Sequence, residues 1–133
     1  MARLLADCTL IAGYFDAIGA GVSLIGVDRL AVLAHTALAQ GLIDAAFSAV
    51  IERRRPADKQ WIDWIDRQLR AVDRILAAAV PAKQFDLGDV TLACGLAYLD
   101  FRLPEIAWRA SRPDLAAWLD DVACRPSMQA SMP

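Results

Sequence analysis

Two aspartates three residues apart, Asp86 and Asp89, constrain this chain more than any other feature. They stand at the head of the run FDLGDVTLACGLAYLDFR, Phe85 to Arg102. A helix leaves its first backbone N–H groups without partners. Asp86 is placed to accept from them as the N-cap, while Asp89 can reach back to the Asp86 N–H, which is a capping box built from two acids. Phe85 precedes the cap and Val90 occupies the fourth helical position, so the pair is expected to meet as a hydrophobic staple. Beyond the cap, apolar residues face nearly every direction. A helix apolar all round is expected to be buried, and this one is predicted to be the central post of the domain.

The remaining segments read as helices arranged around it. Residues 7–18 place Leu10, Ile11, Tyr14, Phe15 and Ile18 on one face, with Asp7 as the expected cap. The glycines Gly19, Gly21 and Gly26 then mark a linker. A long helix is predicted from Val27 to about Arg53, opening near Asp28. It closes on Arg53, Arg54 and Arg55, cations that suit the negative end of a helix dipole. A second long helix is expected from Asp58 to Val80, its apolar stripe beginning with Trp61 and Trp64, a pair better read as packing than as a stacking site for a ligand. Pro104 breaks the chain after the central helix. Ser111 and Asp114 then suggest a second capping box, with Leu115, Trp118, Leu119 and Val122 as the buried face that follows. No sustained two-residue alternation bounded by turns occurs, so no sheet is predicted.

Several function classes drop out on charge and composition. The net charge is −2 and the pI about 5.2, which offers no general attraction to nucleic acid. The chain has 57% hydrophobic residues, too many for disorder. Cys8, Cys94 and Cys124 are odd in number and widely spaced, so neither a disulfide framework nor a zinc site is indicated. They are expected to be reduced core residues of a cytoplasmic protein. With one histidine, His35, no metal site is assigned; His35 reads as a partly buried structural residue with no acid partner in sequence. Residues 8–27 fail as a signal peptide because Asp7 and Asp16 break its charge order. Residues 30–51 are long enough to cross a membrane but hold His35, Gln40 and Asp44, and a buried helix of a soluble protein is expected instead.

Four segments in order carry a family resemblance: AQGLIDAAF (39–47), WIDWIDRQLRAVDRIL (61–76), FDLGDVTLACGLAYLDFR (85–102) and RPDLAAWLDDVACRPSMQASMP (112–133). Together they resemble the C-terminal domain of bacterial glutathione transferases. The third segment is the most specific, since it looks like that family's capping box and staple, with Asp86 where Ser or Thr is usual. The resemblance implies an all-α fold: a helical bundle of the glutathione transferase C-terminal type, five main helices plus an N-terminal remnant helix. The domain is expected over residues 27–133. Residues 1–26 are expected to hold the last helix of a thioredoxin-like domain and the interdomain linker, LLADCTLIAGYFDAI being similar to that helix.

The functional implications come from the resemblance as well. In the family the N-terminal domain stabilises the glutathione thiolate, and the helical domain walls a pocket for an electrophilic co-substrate. An acid followed by Ser usually opens the remnant helix and holds the γ-glutamyl end of glutathione; Asp7 and Cys8 match those positions. No catalytic residue is assigned, and most of the thioredoxin-like domain is expected to be missing, so the chain alone is not expected to conjugate. No cofactor is expected to be required, glutathione being the one ligand the resemblance leaves open. Gln40, Asp44 and Phe47 fall on one stripe of the long helix where the family's hydrophobic co-substrate wall lies; Phe47 reads first as core and Asp44 as a capping or interhelical hydrogen bond, with contact to a small hydrophobic ligand as the alternative. The partner expected is a second copy, in a homodimer through residues 27–80, with neither nucleic acid nor membrane. The alternative is a non-enzymatic helical binding or oligomerisation module.

Overall fold

The computed structural model describes residues 6–131, and among these it forms seven α-helices and no strand. Leu4, Leu5, Met132 and Pro133, which belong to the family resemblance, lie outside the described residues. The helices are α1 (Cys8–Ile18), α2 (Arg29–Arg53), α3 (Ile62–Ala78), α4 (Leu87–Arg102), α5 (Trp108–Ser111), α6 (Pro113–Ala123) and α7 (Pro126–Ser131), with a 3₁₀ turn at Ala57–Lys59 before α3. The all-helical bundle is as expected, though two of its helices, α5 and α7, are only four and six residues long.

The core forms where α2 packs against α3 on one side and α4 on the other. Leu42, Ala46 and Val72 meet Leu92, Leu96 and Leu99, and Leu115 and Leu119 close the end from α6. Alanines on α2 and glycine on α4 bring the two backbones close. A Cβ at Gly95 would stand 3.1 Å from the Leu42 side chain, tighter than ordinary contact, so glycine suits this crossing.

Two expectations about element ends and two about burial need correction. The helix predicted from Asp58 starts at Ile62, because the chain turns a corner first. Gln60 donates to the Arg53 and Arg55 carbonyls, satisfying the end of α2, while Glu52 accepts from the Trp61 N–H at 2.9 Å. Trp61, expected in the buried stripe, is therefore on the surface and 58% exposed; it stacks on Trp64 with ring centres 5.6 Å apart. The capping box expected at Ser111 and Asp114 does not form. Ser111 closes α5 by donating to the Trp108 carbonyl, and α6 instead opens on Pro113 at its first turn, where the missing N–H costs nothing. Finally, the three cysteines are all exposed rather than core residues.

Arg112 does the work that a cap would have done. Its guanidinium donates to the Leu76 and Ala79 carbonyls at the end of α3 and to both oxygens of Asp114. One side chain thus fastens the end of α3 to the start of α6. On the far side, the fully buried Trp108 donates its indole N–H to Asp100 at 2.8 Å, and Arg109 bridges Asp100 and Asp120.

Candidate functional site

The head of α4 gathers more elements than its cap requires. The capping box forms as expected: Asp86 Oδ1 accepts from the Asp89 N–H at 2.9 Å and Asp89 Oδ2 accepts from the Asp86 N–H at 3.2 Å. Asp89 also accepts from Ala82 through its other oxygen, at 3.0 Å. Leu87 donates its N–H to the Leu24 carbonyl of the linker. The α4 head therefore holds the linker and the segment after α3 as well as itself. Phe85, on the near side of the cap, packs against the core with the Arg125 guanidinium 3.9 Å over its ring, and Val90 is half-buried beside the linker.

His35 is the contribution from α2. Its Nδ1 lies 3.2 Å from Asp86 Oδ1, which corrects the reading that it lacks an acid partner. The partner is 51 residues away in sequence, so no local spacing could have revealed it. The His35 side chain lies against Gly88, where any Cβ would overlap it. His35, Asp86 and Asp89 place ligand atoms within 4.8 Å of one another, but both Asp89 oxygens and Asp86 Oδ1 are engaged as acceptors for backbone N–H groups. Asp89 is 1% exposed, and burial pushes its carboxyl above the ordinary value, opposed by the Ala82 and Asp86 N–H groups. These residues form a structural knot.

At the start of α1, Asp7 caps its own helix and accepts from the N–H groups of Thr9 at 2.8 Å and Leu10 at 3.1 Å. Cys8 beside it is exposed. The N–H groups that could receive a ligand carboxylate are thus already turned to a carboxylate of the chain. The linker after α1 is pinned rather than loose. Asp16 accepts from the Ser23 hydroxyl at 2.7 Å and the Leu24 N–H at 2.6 Å, and these bonds, Ser23 first, hold its carboxyl below the ordinary value. Ile25 is buried, and a Cβ added at Gly13 of α1 would meet its side chain at 3.6 Å, an ordinary contact.

Gln40, Asp44 and Phe47 share the outward face of α2. Gln40 donates to Asp44 at 2.9 Å, and Phe47 is 53% exposed. A cavity of about 410 Å³ lies elsewhere, between α1, the linker and α4, lined by Phe15, Val22, Leu24, Ile25, Leu87 and Val90. It continues onto α4, and there the expectation of a helix buried all round fails. Cys94, Ala97 and Phe101 are exposed, one stripe at helical spacing that runs on from Val90. An apolar helix is buried on every side only if something covers every side, and among the described residues nothing lies over this one.

The comparisons with known proteins agree with this geometry. The family model described as glutathione S-transferase, C-terminal domain, matches residues 33–121. The uncharacterized GST-like protein YibF of Escherichia coli K12 is 27% identical to the chain, over 96% of it and 68% of YibF. Among solved structures, a glutathione transferase family member from Pseudomonas fluorescens Pf-5 with bound S-(propanoic acid)-glutathione superposes with a TM-score of 0.92. It is 38% identical, across 98% of this chain and 71% of that one. A glutathione S-transferase from Methylobacillus flagellatus KT with glutathione bound gives 0.91, at 32% identity over 97% of this chain and 70% of its own. The head of α4, the α2–α3 pair and the helices that close the core are therefore those of a known domain, and the chain belongs to the glutathione S-transferase family through its C-terminal helical domain.

Proposed function

We propose that these 133 residues act as the docking and assembly body of a glutathione transferase-type protein and do not conjugate glutathione by themselves. The observation that carries this reading is the bare apolar strip from Phe15 and Val22 across Val90 to Phe101. A contiguous apolar strip on a soluble body marks a surface made to be covered. The relatives supply the size of the covering body, since nearly a third of each lies outside the stretch it shares with this chain.

The chemistry supports the second half of the proposal. Conjugation needs a thiol held as thiolate, by a cation, a helix N-terminus or a hydrogen-bond donor. At the α1 start, the place matched to the family's γ-glutamyl site, Asp7 accepts from the Thr9 and Leu10 N–H groups, and Cys8 lacks the hydroxyl that the family's Ser would supply there. The co-substrate wall expected at Gln40, Asp44 and Phe47 is an open helix face, which becomes part of a cleft only when a second body stands over it. Self-association through residues 27–80 would supply such a body, and α2 offers exposed Leu30, Leu38, Phe47 and Ile51 for it. The protein is read as soluble. Although α2 has the length and composition of a membrane span, its inner face is packed against α3 and α4.

A conjugation assay with glutathione and an activated aryl chloride tests the reading. No turnover above the uncatalysed rate is expected from the 133-residue chain. Turnover that disappears in Asp7→Ala or Cys8→Ala would place a working thiol site at the head of α1 and overturn it.

A further inference from the structure

The corner between α2 and α3 holds an aromatic ring out in solvent instead of packing it. Trp61 is 58% exposed and Ile62 beside it 54%. The backbone that presents them is fixed. Gln60 donates to the Arg53 and Arg55 carbonyls, and Glu52 Oε1 accepts from both the Trp61 N–H and the Arg55 guanidinium. An indole left in water forfeits the burial that usually makes it worth having. A rigid support under an exposed tryptophan is the anatomy of a contact centre.

The other rings of the chain indicate what this one would receive. Trp61, Trp64 and Arg67 follow at intervals of three and are therefore neighbours along one side of α3. Trp64 stacks on Trp61 with the ring planes 26° apart, and it carries the Arg67 guanidinium 4.7 Å from its own ring centre. Phe85, Phe101 and Trp108 likewise each have an arginine of the chain over the ring. Among the described residues no cation stands over Trp61, so the stack ends on its open face. The charges around that face are suited to one. Glu52 sits at the root of Trp61, and its Oε2 accepts no hydrogen bond among the described residues. Asp58 and Asp63 are exposed on either side in sequence, with Lys59 the one cation between them. A guanidinium fits such a place better than an ammonium, because its plane stacks on a ring while its edge donates to a carboxylate.

We propose that Trp61 and Glu52 receive an arginine side chain from an extended segment of another protein, with Ile62 taking an apolar neighbour of that arginine. An anionic lipid surface would meet Asp58 and Asp63 with like charge. The corner lies at the far end of α2 from the linker and the bare strip of α4, so the proposal is independent of the docking and assembly reading.

Proton NMR of the indole N–H signals of the 133-residue chain, titrated with the capped peptide Gly-Leu-Arg-Leu-Gly, tests it. The Trp61 and Trp64 signals should shift saturably with a Kd in the millimolar range, as expected of an exposed cation–π contact joined to one ion pair. The buried Trp108 signal should stay where it is. The same peptide with citrulline for arginine keeps the shape and loses the charge, and should bind about tenfold more weakly. Added salt should weaken the arginine peptide alone. Trp61→Leu identifies the Trp61 signal by removing it, keeps apolar bulk at the corner, and should abolish the shift of Trp64. Equal binding of the citrulline peptide overturns the proposal, and this comparison needs no variant to fold. A Trp64 shift undiminished in Trp61→Leu, equal shifts at Trp108, or no saturable shift up to tens of millimolar peptide would overturn it as well.

Discussion

Asp86 serves two partners with one oxygen, the Asp89 N–H and the His35 ring. Asp86→Ala should therefore cost about 0.5–2 kcal/mol from the lost cap, whereas Asp86→Ser keeps a capping oxygen and loses only the His35 contact. Denaturation in urea should rank wild type above Asp86→Ser and Asp86→Ala lowest; equal midpoints would deny the cap any role. Asp89→Asn tests the geometry more sharply, because both Asp89 oxygens accept from backbone N–H groups. An amide nitrogen cannot accept, so one buried donor is stranded, and a loss of about 1–3 kcal/mol is expected. Gly88→Ala should force the His35 ring aside at a cost of about 1–3 kcal/mol. In a double-mutant cycle, His35→Ala should relieve much of that loss, and additive effects would show the two residues to be uncoupled. Asp86 and Asp89 were legible in the sequence because a cap is local. His35 was not, since its partner comes from another helix, and Gly88 gave no sign that its missing Cβ makes room for a ring.

For whole helices, legibility followed the same division. The existence and order of α1, α2, α3, α4 and α6 were readable from apolar spacing, which is a property of each segment alone. Their ends were less so: α3 starts late because Gln60 and Glu52 reach across a corner, and α6 is secured by Arg112 rather than by Ser111. That fastening titrates. Arg112, through its hydrogen bond first, holds the Asp114 carboxyl down to about 2 from an ordinary 3.8. Because the folded value is lowered, the ionised form favours the folded state, and its contribution is present above pH 3.8 and lost as pH falls toward 2. Asp114 is at the surface, where solvent screens the pair, so the effect is expected to be small. The melting temperatures of wild type and Asp114→Asn should differ above pH 4 and converge toward pH 2; a difference that stays constant would show that the ion pair contributes nothing through its charge.

Across the whole molecule, the bundle has more apolar faces than it can bury. The inner face of α2 and one side of α4 make the core, while the outer face of α2 and the strip from Val90 to Phe101 remain on the surface. Sequence alone suggested that α4 would be buried on every side, because periodicity reports which residues are apolar and not whether anything stands over them. The candidate site divides along the same line. Asp7 was legible twice, as the expected cap of α1 and, with Cys8, through a family likeness, and the folded chain makes that cap. This self-capping bears directly on whether the chain can hold glutathione. Calorimetric titration of the 133-residue chain with glutathione is the most direct measurement. No saturable heat is expected up to millimolar glutathione, a range in which weak binding would be seen. Saturable binding that is lost in Asp7→Ala would contradict the reading of these residues as a docking and assembly body without a thiol site of its own.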